Sequence, residues 1–188
     1  MPTAYIGMGG NLASSAGSPE ATLAAAATRL ESFGPITGRS SLYSTEPVGF
    51  LDQPRFVNAV LALATNLAPQ DLLRALLAIE SEFGRDRASS FPNGPRTLDL
   101  DILLFDNLQV HEPGLIIPHP RLAQRAFVLV PLAEIAHHIL DVQTETSVGQ
   151  LLDSLRLHAG GVGDAVVPIQ SSLWRAGAGR DGLYPGHP

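Results

Sequence analysis

Two segments of helical periodicity, each set between strand-like runs, constrain this chain more than any other feature. Thr3 to Met8 reads as a short buried strand that ends in Gly9-Gly10-Asn11. Ser18-Pro19-Glu20 then supplies an N-cap, a proline for the first helical position and an acid for the first turn. Leu23, Ala27, Leu30 and Phe33 follow at helical spacing, and Gly34-Pro35 stops the run. Ile36 to Ser44 is strand-like, and Thr45 to Pro54, broken by Pro47, Gly49 and Pro54, is a loop. From Arg55 to Thr65 the chain reads as a strand, with Phe56, Asn58, Val60 and Ala62 on one face and Val57, Ala59, Leu61 and Leu63 on the other. Pro69 opens a second helix with Leu72, Leu76, Ile79 and Phe83 along one side and Gly84 at its close. The polar, turn-rich stretch Arg85 to Arg96 leads into a last strand, Leu98 to Phe105. The order β-α-β-β-α-β predicts an α+β fold of the ferredoxin-like kind: an antiparallel sheet with helices on one face, followed by a C-terminal extension.

In that extension, Ala126 to Ile135 is expected to be helical despite Pro131. Ser147 to Gln150 has the spacing of a capping box ahead of Leu151, Leu152 and Leu155. From Gly160 onward 7 of 29 residues are glycine, and most of the tail is expected to be weakly ordered. The expected organisation is one domain over residues 1–158 with a tail over 159–188.

Composition removes whole classes of chemistry. The chain has no cysteine, which excludes disulfide scaffolds, thiolate metal sites and thiol nucleophiles. All 12 basic residues are arginine, so mechanisms that need an ammonium group are excluded, the Walker A lysine and Schiff bases among them. A net charge of −6 disfavours a duplex-DNA grip, so no nucleic-acid partner is expected. No apolar stretch is long enough for a membrane span and no secretion signal is seen at the start, which makes the cytoplasm the expected location.

The sharpest local signal is Arg96-Thr97-Leu98-Asp99-Leu100-Asp101-Ile102. Asp99 and Asp101 stand two apart on the expected strand, so their carboxylates share a face, roughly 6.5–7 Å apart along it. Two acids held this way repel, and in an apolar context they call for a compensating cation. Oxygen ligands without histidine or cysteine suit Mg²⁺, which binds through one or two acids together with substrate phosphates. Arg85, Arg87, Arg96, Arg121 and Arg125 cluster around the pair, and guanidinium forks match phosphate oxygens. Acids with arginines suggest a nucleotide-polyphosphate site. His119, stiffened between Pro118 and Pro120, is a candidate donor to phosphate. Asn58, a carboxamide in an apolar strand on the same face as Phe56, suits the edge of a stacked heterocycle such as a pterin or purine.

Five segments occur together in the order of a known family. They are Ala4 to Leu12, Asp52 to Asn58, Phe83-Gly84-Arg85, Gly94 to Asp101 and Pro118-His119-Pro120-Arg121. From about residue 3 to residue 157 the chain closely resembles the 6-hydroxymethyl-7,8-dihydropterin pyrophosphokinases of folate biosynthesis. The resemblance implies a ferredoxin-like fold and the transfer of pyrophosphate from ATP to the pterin hydroxymethyl group, with release of AMP. It implies that Asp99 and Asp101 hold two Mg²⁺ ions. Thr45, Pro47, Val48, Phe56, Asn58 and Phe127 would contact the pterin, with Phe56 and Phe127 as its stacking pair. Glu80, Arg85, Arg87, Arg96, Ile102, His119, Arg121 and Arg125 would lie on or near ATP. Arg85 and Arg96 are expected to be delivered to the reacting phosphates by a closing loop and, with the two aspartates, to be catalytic. Where many members carry tryptophan before Gly-Pro-Arg, this chain has Asn93. The resemblance leaves monomer and homodimer both open. Two other readings of the residues are a metal-dependent nucleotidyl or phosphoryl transferase of another substrate, and a non-catalytic ferredoxin-like ligand-binding module.

Overall fold

The computed structural model describes residues 1–87, 91–158 and 166–177. Strand β1 (Thr3–Gly10) is followed by helix α1 (Pro19–Leu30), β2 (Ile36–Arg39), β3 (Leu42–Thr45), β4 (Phe56–Ala64), α2 (Pro69–Glu82) and β5 (Asp99–Phe105). Two small hairpins come next, β6 (Val110–Glu112) with β7 (Leu115–Ile117) and, further on, β8 (Leu140–Asp141) with β9 (Thr146–Ser147). Helix α3 (Ala126–Ala136) lies between them, and α4 (Val148–His158) and strand β10 (Val166–Ile169) close the described chain. The main sheet is six-stranded and runs β10-β3-β4-β1-β5, with β2 also paired to β4. Each of these pairings is antiparallel.

Local signals account for the helices. Ser18 caps α1, its Oγ accepting from the Ala21 amide, and Pro19 takes the first helical position. Gly84, with φ +80, ends α2 in a left-handed conformation that glycine adopts without strain. Ser147 and Gln150 form the expected capping box at α4: the Gln150 amide donates to Ser147 Oγ at 3.2 Å, and the Ser147 amide donates to Gln150 Oε1 at 3.0 Å. Pro131 does sit inside α3.

Two features depart from the sequence expectation. The expected strand Ile36 to Ser44 is two strands. Arg39 pairs with Leu61 and Tyr43 with Asn58, so one edge spends four steps where β4 spends three, and the chain kinks at Ser40-Ser41. The helices also do not stay on one face. The side with Val57, Ala59, Leu61 and Leu63 packs against Leu23, Ala27 and Leu30 of α1 and Leu72, Leu76 and Ile79 of α2. The side with Val60, Ala62 and Leu103 packs against Val128, Leu129 and Leu132 of α3 and Leu151 and Leu152 of α4. Strand β4 is apolar on both faces, and an uncovered face would leave Val60 and Ala62 in water. The C-terminal helices therefore make a second layer.

The expected weak order of the tail is corrected for its described part. Strand β10 pairs with β3, Trp174 is buried in the α1/α2 core, and Gly177 pairs with Arg39. The described residues 166–177 thus pack with the domain over residues 1–158. Residues 159–165 and 178–188 lie outside the described residues. Among the described residues no helix is long and apolar enough to cross a membrane.

Candidate active site

The site forms where two glycines leave a trough across the sheet. Gly9 of β1 stands between Asn58 on β4 and Asp99 on β5, and Gly7 stands between Val60 and Asp101. A Cβ on Gly9 would lie 2.6 Å from Asn58 Oδ1, and one on Gly7 would touch Leu103 at 3.3 Å. Without side chains there, the carboxamide and the two carboxylates face one cavity of about 350 Å³. The second-layer end at Arg125 to Val128 and the loops after β3 and before β5 complete its walls.

Asn58 is 7% exposed and donates from Nδ2 to Thr45 Oγ1 at 2.8 Å. That bond fixes which end of the amide turns inward, so the side chain meets a ligand as an oriented donor and acceptor. Phe56 and Phe127 both line the cavity. Arg96 lies over the Phe56 ring, its Cζ 5.3 Å from the centroid, and Arg125 lies over Phe127 at 5.5 Å.

Asp99 is the hub of a basic cluster. Arg96 Nη1 donates to its Oδ2 at 2.9 Å, and Arg85 and Arg87 approach Oδ1 at 3.8 and 4.0 Å. Burial and then the neighbouring charge of Asp99 push the Asp101 carboxyl above the ordinary aspartate range. Among the described residues no three histidine or acidic side chains converge as a complete metal cage. The donor set is a carboxylate pair opening on a cavity, with one member held reluctantly charged. It fits Mg²⁺, which keeps water and phosphate as its other ligands.

His119 accepts the Arg121 amide N–H at its Nδ1, 3.1 Å away. A backbone amide can only donate, so Nδ1 is the bare nitrogen and the neutral ring carries its proton on Nε2. Burial pushes the His119 pKa down, which favours that neutral form. Burial also lowers the Arg85 and Arg125 guanidinium values, the mark of cations held partly out of water. Arg85 Nε and Arg96 Nε are buried without a hydrogen-bond partner among the described residues.

Of the residues expected at the site, Thr45, Val48, Phe56, Asn58, Arg96, Asp99, Asp101, His119, Arg121, Arg125 and Phe127 line this one cavity. Pro47, Arg85 and Arg87 stand outside its lining, although both arginines approach Asp99. Two expectations change character. The Ile102 side chain is buried in the α1/α2 core, because it alternates away from Asp99 and Asp101, so it cannot meet ATP through its side chain. Glu80 is 1% exposed and both its oxygens are engaged. Oε1 accepts the Leu100 amide at 2.8 Å, and the two oxygens take the Arg87 fork at 2.8 Å each. It positions Arg87 and β5.

Sequence reasoning missed Asn11 and Gln53. Asn11 is 4% exposed; its Oδ1 accepts the Arg96 amide at 2.8 Å and its Nδ2 donates to Gln53 Oε1 and the Pro54 carbonyl. Gln53 Nε2 donates onward to the Asn93 carbonyl at 2.7 Å. Phe91 packs edge-on against Phe50, with centroids 5.3 Å apart. The loop after β3 and the loop before β5 are thus joined across the mouth of the cavity. Two polar residues in turn-forming sequence carried no periodic signal that could have disclosed this. The expected loop Arg85 to Arg96 includes residues 88–90, which lie outside the described residues.

A six-stranded sheet layered on both faces thus carries one cavity lined by paired carboxylates, arginines and an oriented carboxamide. Residues 5–137 match the 7,8-dihydro-6-hydroxymethylpterin-pyrophosphokinase (HPPK) family, and the chain belongs to it. The 2-amino-4-hydroxy-6-hydroxymethyldihydropteridine pyrophosphokinase of Pseudomonas aeruginosa is 50% identical over 134 residues, covering 70% of this chain and 79% of that one. The protein of the same description from Bacillus subtilis is 41% identical over 149 residues, 78% of this chain and 86% of its own. Among solved structures, Plasmodium falciparum HPPK-DHPS superposes with a TM-score of 0.67 at 14% identity, over 88% of this chain. The match spans 46% of that longer chain, and the likeness bears on the fold alone.

Proposed function

We propose that this protein transfers the β,γ-pyrophosphoryl group of ATP to 6-hydroxymethyl-7,8-dihydropterin, releasing AMP and the dihydropterin diphosphate for folate biosynthesis. The observation that carries the reading is the sharing of one cavity by Asn58, the Asp99/Asp101 pair and the Arg96, His119, Arg121 and Arg125 side chains. The sheet order β5-β1-β4-β3, antiparallel throughout, supports a ferredoxin-like core within the three-layer fold.

In this reading the pterin lies between Phe56 and Phe127, with its amide edge on Asn58, and displaces the guanidinium groups now over those rings. Thr45, Pro47 and Val48 close its outer side. The triphosphate is met by Arg96, Arg121, Arg125 and the Nε2–H of neutral His119, with Arg85 and Arg87 beside Asp99. The hydroxymethyl oxygen attacks the β-phosphorus. A new O–P bond forms there, the bond from the β-phosphorus to the α,β-bridging oxygen breaks, and its electron pair leaves with AMP. The hydroxyl proton passes to solvent. Asp99 and Asp101 would hold Mg²⁺, which neutralises polyphosphate charge and acidifies a bound hydroxyl. His119 serves as donor and not as base, since its bare nitrogen is occupied by the Arg121 amide. The arginines stabilise charge that builds on the transferred group and on AMP. The loops joined through Gln53 and Asn93 exclude water that would otherwise hydrolyse ATP.

Incubation with ATP, Mg²⁺ and 6-hydroxymethyl-7,8-dihydropterin, followed by chromatography of the nucleotides, tests this directly. AMP is expected, in equal amount to pterin diphosphate. ADP would indicate a simple kinase and overturn the reading, as would unchanged turnover in Asp99→Ala.

A further inference from the structure

The family match ends at residue 137, yet residues 166–177 are built into the sheet beside the pterin half of the site. We propose that this C-terminal segment is a brace that holds β3 in register, so that Thr45 stands where it can orient Asn58. The proposal rests on reading Asn58 as the pterin contact.

The kink at Ser40-Ser41 is the weak point of the site's scaffold. It lies in the edge opposite β5, and the register of β3 against β4 depends on it. A register that includes an extra residue is specified only if something fixes the extra residue. Here it is fixed from both sides. From the second layer, Glu134 of α3 accepts the Ser41 amide, the Ser41 hydroxyl and the Tyr43 hydroxyl, each at 2.9 Å. From the other side comes Trp174. Its ring is 6% exposed, its Nε1–H donates to the Ser40 carbonyl at 2.7 Å, and the Arg39 guanidinium lies over it at 4.8 Å. Buried indoles need such a partner, and a kinked carbonyl needs such a donor.

The segment also covers the open edge on each side of the kink. Val166 pairs with Thr45 and Ile169 with Leu42, and past the tryptophan Gly177 exchanges both amide bonds with Arg39 at 2.8 and 2.9 Å. Thr45 is therefore held by β4 on one side and by Val166 on the other, and it passes that order to Asn58 through its hydroxyl. The nucleotide half has no such dependence. Asp99 and Asp101 lie at the opposite edge, on β5, beyond β1. Trp174 is thus a positioning residue for the pterin and not for ATP.

The experiment compares full-length wild type, Trp174→Ala and Trp174→Phe by calorimetric titration with 6-hydroxymethylpterin and, separately, α,β-methylene-ATP with Mg²⁺. Amide hydrogen exchange follows residues 42–45 and 99–105. Trp174→Ala is expected to weaken pterin binding about ten-fold while nucleotide binding stays within about two-fold. Exchange should rise at residues 42–45 and not at 99–105. Trp174→Phe keeps the aromatic packing and loses the bond to Ser40, so it should weaken pterin binding about three- to five-fold. If Trp174→Ala does not fold, Trp174→Phe alone decides on the same measurements. Pterin and nucleotide affinities falling in parallel would overturn the brace, as would wild-type exchange at residues 42–45. A wild-type protein that binds nucleotide but no pterin would instead refute the function proposed above, and exchange at residues 42–45 would still decide the brace.

Discussion

Asp101 carries a conflict between stability and function. Its carboxyl value is raised by burial and by Asp99, so the folded chain holds a proton that the unfolded chain releases near 3.8. Between that pH and its raised value the folded state binds more protons, so this residue's contribution to stability falls as pH rises through the window and stays low above it. Asp101→Asn should therefore raise the thermal midpoint of the metal-free protein at pH 7–8 and flatten that decline, while AMP formation is lost. A calorimetric scan across pH with a parallel product assay checks both. The glycines of β1 separate two other effects. Gly9→Ala drives a Cβ into the Asn58 amide, so the apparent KM for pterin should rise about ten-fold with the fold retained. Gly10→Ala would meet the Thr97 carbonyl oxygen, a backbone atom, at 2.3 Å, and its soluble yield and thermal midpoint should fall instead.

At the scale of elements, α2 does more than cover the sheet. Glu80 near its end accepts the Leu100 amide of β5 and holds the Arg87 fork, which ties the helix to the strand that carries both aspartates. Glu80→Ala leaves a buried amide unpaired and should cost about 1–3 kcal/mol in chemical denaturation. Glu80→Gln, which can still accept from Leu100, should recover part of that. The periodicity of this helix was legible because Leu72, Leu76 and Ile79 recur on one side. The role of Glu80 was not: its place four residues after Leu76 puts it on the buried side, but the repeat does not name the Leu100 amide and Arg87 as its partners. The strand Ile36 to Ser44 was legible as extended chain, but its division at Ser40 was not. The partners that fix the kink, Glu134 and Trp174, lie far away in sequence.

For the molecule as a whole, the second layer and the C-terminal segment convert a single-faced sheet into a three-layer body. Trp174→Ala removes a buried ring and its hydrogen bond, which should cost about 3–5 kcal/mol and lower the thermal midpoint by several degrees. The sequence alone determined the alternation of strands and helices, the pairing of Asp99 with Asp101 on one face and the polar break that Asn58 makes in an apolar strand. Those are properties of spacing, and spacing is fixed by backbone periods of 2.0 and 3.6 residues wherever the chain folds. Tertiary structure decided which of the arginines line the cavity and which only approach Asp99. It decided that Ile102 turns inward, that Glu80 is satisfied within the protein, and that a glycine-rich tail supplies an edge strand and a buried tryptophan. Those outcomes depend on contacts between segments remote in the chain, whose energies exist only once the layers have closed on one another.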